Sequence, residues 1–178
     1  LFALLMLNKT SWNGAILQSL SHGFMTALFF ALIGMIYGRT HTRDITKLGG
    51  LLKVIPFIST IYVIAGLASL GLPGFSGFVA EMNIFVGAFQ HEELFYRIAT
   101  IVSVSAIVVT AVYILRVVGI MLMGPVRNEA FLKLEKVTWY EKTGILLLFI
   151  PIIGMGIAPL WLSDMILASL EPFIQRVL

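Results

Sequence analysis

The chain has 178 residues and a mean hydropathy of +0.99, and only 12% of its residues are charged, against roughly 25% in soluble domains. Its apolar residues form long runs rather than single faces, which excludes an ordinary soluble domain and indicates that lipid surrounds much of the chain. The net charge of +3 is too small to indicate nucleic-acid binding, and the absence of cysteine excludes disulfides, thiol catalysis and cysteine-held iron–sulfur clusters.

The chain opens with an apolar run, residues 1–7, that has no basic region before it and is too short to cross a bilayer. We interpret this run as the end of a helix that begins upstream, and the chain as part of a larger protein. Residues 8–13 are predicted to form an interfacial turn with Trp12 as an aromatic anchor. Residues 14–37 carry no formal charge and span roughly 36 Å as a helix, which is enough for the first crossing with some tilt.

The segment 54–90 is the most unusual part of the sequence, because Glu81 is its only charged residue. As one straight helix it would reach roughly 55 Å, well beyond a hydrocarbon core of about 30 Å, and it is too short for two crossings. We therefore predict one crossing made of two half-helices. The residues that break it are Gly71, Pro73, Gly74 and Gly77. Unwound backbone within a bilayer must be buried in protein or line a wet cavity, a pattern typical of transport sites.

Two further crossings are predicted, over residues 98–123 and 144–162. The tail, residues 163–178, has apolar side chains at helical spacing and is predicted to be an amphipathic helix on the membrane surface, with a kink at Pro172. The predicted fold class is an all-α, polytopic transmembrane helix bundle with one discontinuous helix and a C-terminal amphipathic helix.

Basic residues predict the orientation. The connections 38–53 and 124–143 each hold four Lys/Arg, whereas residues 91–96 hold none, so the first two connections are predicted on the cytoplasmic side. Arg116, near the cytoplasmic end of its crossing, and Lys53, at the mouth of the broken segment, are interpreted as anchors at that side. Lys53 could also help to load protons.

Glu81 is the first candidate for chemistry. At helical rise it lies roughly 13 Å from the outer interface, close to the bilayer midplane. A carboxylate there is costly unless it is paired, hydrated or protonated, so an acid inside the membrane is a functional-site hypothesis by default. The alternative is a structural ion pair with a basic residue of a helix outside this chain.

His22 is the second candidate, roughly 12 Å into the first crossing. Its imidazole titrates near neutrality and has two nitrogens, which suits a proton relay, whereas the alternative is a neutral histidine hydrogen-bonded between packed helices. A metal site is disfavoured because His41 and His91 fall in connections predicted on opposite sides of the membrane. With no nucleotide-binding or catalytic motif, the chain is predicted to hold no redox active site and no cofactor.

Several short strings together carry a resemblance to a known family. They are NGAILQ at 13–18, SHG at 21–23, HTRD at 41–44, GGL at 49–51 and LPGFSGFVAE at 72–81. In combination the chain closely resembles the subunit M family of antiporter-like membrane subunits of respiratory complex I, the counterpart of mitochondrial NADH dehydrogenase subunit 4. The resemblance covers nearly the whole chain, as roughly the C-terminal third of such a protein.

The resemblance implies that Glu81 is the acid of the family's discontinuous helix, at the outer end of its hydrophilic axis, and that His22 is the bridging histidine of the preceding helix. The related L- and N-type subunits, and the large subunits of multisubunit cation/proton antiporters, generally carry lysine at the position of Glu81. The glutamate therefore favours the M type.

For the whole protein, the resemblance implies a proton-translocating subunit of an NADH (or ferredoxin):quinone oxidoreductase. Its implied partners are L- and N-type membrane-arm neighbours and the lipid bilayer, and its implied location is a bacterial inner membrane. Two alternatives stay open: a subunit of a multisubunit monovalent cation/proton antiporter, and a structural membrane scaffold.

Overall fold

The computed structural model describes the backbone of residues 1–177 and the side chains of residues 1–175, and this part of the chain is all-helical. Leu178, the last residue of the predicted tail, lies outside the described residues. The elements in chain order are α1 (Phe2–Leu5), α2 (Lys9–Thr40), α3 (Leu51–Val54), α4 (Pro56–Ser69), α5 (Ser76–Phe89), α6 (Leu94–Leu122), a short 3-10 helix (Glu129–Lys133), α7 (Trp139–Ile157) and α8 (Leu160–Val177).

The helix lengths agree with a membrane bundle. Helices α2, α6 and α7 are long and apolar enough to cross a membrane, while α4 and α5 are shorter apolar helices that follow one another along the chain. Together α4 and α5 form the broken crossing, so the predicted all-α transmembrane class with one discontinuous helix is confirmed. Many side chains of α6 are exposed valines, for example Val102, Val108 and Val109 at 63–67% exposure, as expected for a helix that faces lipid.

Helix α2 starts earlier than the sequence pattern predicts. Asn8 caps it, because the Asn8 Oδ1 accepts the Ser11 N–H at 2.8 Å. The interfacial turn predicted at residues 8–13 is therefore wrong: these residues form the cap and first turn of α2. Trp12 is only 5% exposed and donates its indole N–H to the Leu4 carbonyl at 2.9 Å, so it is a packing residue rather than an interface anchor.

Helix α7 also starts earlier than predicted, at Trp139 instead of residue 144. The reason is a capping box, in which the Glu141 carboxylate accepts hydrogen bonds from the backbone N–H and the hydroxyl of Thr138 at 2.7 and 2.8 Å. The helix then ends at Ile157, and the tail helix α8 begins at Leu160 and continues through Pro172.

The tail helix packs across the N-terminal end of α2. Asn13 Nδ2 donates to Ser163 Oγ at 2.6 Å, and the ring centroids of Trp12 and Phe173 lie 5.6 Å apart. Ile166 packs with Leu17 of α2 and Ala80 of α5 in a small apolar cluster. Helix α8 thus closes one end of the bundle beside α5, the second half of the broken crossing.

The other end is held by a polar network around Arg39. Its guanidinium donates to both carboxylate oxygens of Glu141, at 3.0 and 2.8 Å, and to the backbone carbonyls of Glu135 and Lys136. The Arg39 side chain is 9% exposed, so its charge is compensated within the bundle. The larger apolar core lies between these two ends, with Leu28, Leu32, Leu51 and Ile58 fully buried.

Candidate functional site

The broken crossing is interrupted between Ser69, where α4 ends, and Ser76, where α5 begins. Gly71 and Gly74 have φ angles of +65° and +99°, a backbone conformation that glycine adopts at little cost and other residues rarely adopt. Pro73, between them, has no backbone N–H to continue a helix. The interruption lies at the predicted glycine and proline residues, and it follows from their backbone preferences.

Gly77 has a different position from the other glycines predicted to break the helix. It is the second residue of α5, and a Cβ at this position would lie 3.0 Å from the carbonyl oxygen of Ala68. Its function in the fold is therefore close packing of the two half-helices. The unwound residues proper are 70–75.

Helices α2 and α5 pack closely through small residues. The hydroxyls of Ser21 and Ser76 lie 2.7 Å apart and both side chains are buried. A Cβ on Gly14 would lie 2.9 Å from the Ala80 carbonyl oxygen and 2.8 Å from the Ile84 backbone nitrogen. Small residues let two helix backbones approach in a membrane, and here they hold the half-helix α5 against α2.

Glu81 lies on this half-helix, and its carboxylate lies over the break. A Cβ on Gly71 would overlap the Oε2 atom of Glu81, so the space beside the unwound backbone is filled by the carboxylate. The Glu81 side chain is partly exposed, and within the described part of the chain it makes no hydrogen bond or ion pair. This geometry suits a group that exchanges a proton, and it also leaves space for the structural alternative, an ion pair with another helix.

His22 lies one residue beyond the buried Ser21, on an exposed part of α2. Its Nε2 is 3.2 Å from the Thr26 hydroxyl. The ring lines two cavities, one of about 330 Å³ that also contacts Ser69, the last residue before the break, and one of about 340 Å³ that also contacts Gln18. His22 therefore lines two cavities, one of which reaches the last residue of α4.

The structure does not join the two candidates directly. No hydrogen bond connects His22 and Glu81 among the residues that the structure describes, and their helices meet through Ser21 and Ser76 instead. Tyr62 and Tyr113 line the cavity shared by His22 and Ser69.

Sequence reasoning missed these additional polar groups, although a signal was present. Gln18, His22 and Thr26 follow one another at intervals of four on α2, which places three polar side chains on one face of that helix. Tyr62 and Ser69 likewise share one face of α4 at an interval of seven. The Oε1 atom of Gln18 is buried and has no partner in the described part of the chain.

The two basic candidates lie away from the break. Lys53 is exposed in α3 and is separated from residues 70–75 by α4, a helix of 14 residues and roughly 21 Å. Arg116 is exposed on α6, near the end of that helix. Neither side chain makes an ion pair within residues 1–175. The interpretation of Lys53 and Arg116 as interface anchors stays a prediction. In the same residues no group of three or more His, Cys, Asp or Glu lies close enough to hold a metal ion.

Comparison with known proteins connects this geometry to a family. The model of the family described as "NADH:quinone oxidoreductase/Mrp antiporter, TM" matches residues 1–110. Curated relatives include NADH-quinone oxidoreductase subunit M of Rickettsia felis, which is 33% identical over 92% of this chain and 32% of that protein. NAD(P)H-quinone oxidoreductase chain 4 of Acaryochloris marina is 35% identical over 83% of this chain and 28% of that protein. The chain thus spans about a third of the length of these relatives.

Two solved structures have the same fold. A chain of respiratory complex I from Thermus thermophilus with bound NADH superposes with a TM-score of 0.85 at 22% identity, over 98% of this chain and 36% of that one. A chain of the Mrp complex from Dietzia sp. superposes with a TM-score of 0.81 at 19% identity, over 98% of this chain and 41% of that one. Both likenesses concern the fold, and they extend over nearly the whole chain.

Proposed function

Because the chain belongs to the NADH:quinone oxidoreductase/Mrp antiporter transmembrane family, we propose that it forms the C-terminal part of a proton-translocating membrane-arm subunit of a complex I-type NADH (or ferredoxin):quinone oxidoreductase. The relatives named subunit M and chain 4 support this assignment over most of the chain. In this proposal quinone reduction occurs in other subunits and supplies the free energy. The chain itself holds no redox cofactor.

The observation that carries the proposal is the Glu81 carboxylate at the unwound backbone beside Gly71. A carboxyl group at a break in a transmembrane helix can be reached by water, which the continuous part of a helix excludes. In a medium of low dielectric, its protonation depends strongly on the charge of neighbouring groups. A change of charge elsewhere in the subunit would thereby make Glu81 take up or release a proton.

His22 would pass protons toward this site. It lines both the cavity bordered by Gln18 and the cavity bordered by Ser69 and Tyr113. A neutral imidazole can accept a proton on one nitrogen and release one from the other, so a ring that lines both cavities suits a relay. The Thr26 hydroxyl beside Nε2 would help to orient the ring.

We further propose a location in a bacterial inner membrane, with antiporter-like L- and N-type subunits as neighbours. The structural relatives belong to multisubunit assemblies. The exposed apolar surface of α6 would contact lipid or such a neighbour.

A monovalent cation/proton antiporter subunit is the second candidate, since the family description includes Mrp antiporters and the chain superposes on one. The feature that favours the first candidate is Glu81, because the resemblance noted above implies lysine at this position in antiporter subunits. A third candidate, a structural scaffold, needs no titrating group at position 81.

The test is purification of the native complex through a tag on the full-length protein. Complex I-type partner subunits, quinone reductase activity and proton uptake into vesicles are the expected results. Partner subunits of an Mrp-type antiporter, together with Na⁺-dependent proton exchange and no quinone reductase activity, would overturn the proposal in favour of the second candidate.

A further inference from the structure

A cavity at the other end of the bundle is lined by neither Glu81 nor His22. It has a volume of about 340 Å³ and lies between the start of α4 and the first turn of α7. Pro56, Phe57 and Val137 form apolar walls, and Lys136 and Lys142 are the charged residues that line it. Two cations therefore border a cavity whose other walls are mostly apolar.

The positive charge of this cavity is not neutralised by the acids closest to it in sequence. Glu141 accepts hydrogen bonds from Nη1 and Nη2 of Arg39 and from Thr138, so its charge is already compensated. Glu135 is exposed and does not line the cavity. Lys142 Nζ lies 5.7 Å from the centroid of the Phe57 ring, over its face, which holds this ammonium group at the cavity.

Aromatic side chains place the cavity at the depth of lipid headgroups. Trp139 and Tyr140, in the first turn of α7, are 75% and 63% exposed. Exposed Trp and Tyr at the end of a transmembrane helix are typical of the membrane–water interface. Lys136 and Lys142 flank these two residues in the sequence, so the cavity opens at the level where phosphates of a bilayer lie.

We propose that this cavity binds an anionic phospholipid, with the phosphate between Lys136 and Lys142 and the upper part of the acyl chains against Pro56, Phe57 and Val137. Basic cavities between transmembrane helices bind anionic headgroups. The apolar walls favour a lipid over free phosphate, since free phosphate has no apolar part to bury. The site is independent of the proton path and would exist in either candidate complex.

The rate of lysine acetylation in the purified full-length complex in nanodiscs tests the proposal without a change of sequence. Phosphatidylglycerol, compared with phosphatidylcholine alone, should slow acetylation of Lys136 and Lys142 by about fivefold relative to Lys133. Lys133 is a suitable internal control, because it is exposed in the same connection but does not line the cavity. Equal protection of all three lysines, or equal protection by inorganic phosphate in phosphatidylcholine nanodiscs, would overturn the proposal.

Variants give a second measurement. The double variant K136Q/K142Q should bind phosphatidylglycerol about 30-fold more weakly and therefore lose it during detergent washing. The variants K136R/K142R and K133Q should retain phosphatidylglycerol as the unaltered complex does. Mass spectrometry of co-purified lipid measures the retention. Unchanged phosphatidylglycerol retention by the assembled K136Q/K142Q complex would contradict the site, as would equal retention of phosphatidylcholine by the unaltered complex.

Discussion

The Glu81 carboxylate occupies the space that a Cβ on Gly71 would need. The two residues belong to different parts of the broken crossing, because Gly71 lies in the unwound segment and Glu81 lies in α5. The absent side chain of Gly71 therefore has two effects: it permits the positive φ of +65° and it makes room for the carboxylate. This contact links the break in the helix to the acid that we propose as the proton carrier.

Gly71→Ala should reduce proton pumping while the complex still assembles, because the methyl group displaces the Glu81 carboxylate. The substitution also introduces backbone strain of about 1–2 kcal/mol at a positive φ. Gly74→Ala is the matched control, since Gly74 has a φ of +99° but no atom lies within 4 Å of the Cβ position. Assembly and pumping in vesicles are compared for both variants. An equal loss in both would mean that strain, rather than contact with Glu81, causes the defect.

Glu81→Gln should assemble but pump poorly, because the amide keeps the shape of the side chain and cannot carry a proton. Glu81→Asp should retain part of the activity, since the carboxylate is kept with a shorter reach. Blue-native gels measure assembly, and dye quenching in vesicles measures pumping. Glu92→Gln is the control, because Glu92 is an exposed acid in the connection between α5 and α6.

The structural alternative for Glu81 predicts the opposite symptoms. If the carboxylate pairs with a buried cation of another helix, Glu81→Gln should impair assembly at a cost of about 3–5 kcal/mol, and any complex that forms should pump normally. Normal pumping by a fully assembled Glu81→Gln complex would contradict the proton-carrier role.

His22→Gln should slow pumping without loss of assembly, because an amide cannot relay a proton between the two cavities that His22 lines. His41→Asn is the control. His41 follows the last residue of α2 and caps the helix with a φ of 51°, a conformation that asparagine tolerates, and it lies in the predicted cytoplasmic connection. The result to look for is a pumping rate that falls only in the His22 variant; an unchanged rate there would exclude the relay.

Arg39→Gln should destabilise the subunit by about 3 kcal/mol, because it removes one partner of a largely buried, bidentate ion pair with Glu141. Lys9→Gln removes an ion pair with Glu171 in which both side chains are 52% exposed, so it should cost less than about 1 kcal/mol. Thermal inactivation of the purified complex ranks the two variants. Similar midpoints would mean that the Arg39 network contributes little to stability.

Single cysteines introduced at Thr46 and Asn128 should react with a membrane-impermeant reagent only from the cytoplasmic side, because both residues are exposed in the basic connections. A cysteine at Glu92 should react only from the outside. The chain has no cysteine of its own, which keeps the background low over this region. Labelling of Thr46 or Asn128 exclusively from the outside would reverse the predicted orientation.

The sequence by itself determined the helical class and the position of the break. Bilayer thickness limits the length of each apolar helix, so a run such as 54–90 with one charge can be interpreted without knowledge of its neighbours. The backbone preferences of Gly71, Pro73 and Gly74 are likewise local properties. Helix starts were less accurate, because Asn8 and Thr138 act as caps and extend α2 and α7 into polar residues that the hydropathy pattern assigned to connections.

Only the tertiary structure decided which side chains meet. The contact of Ser21 with Ser76 joins residues 55 apart in sequence, and that of Arg39 with Glu141 joins residues 102 apart. No local pattern marks such pairs, because they depend on how closely two helix backbones approach and at which register. Glycines and serines at the α2–α5 contact set that approach, and it brings the half-helix that carries Glu81 against the helix that carries His22.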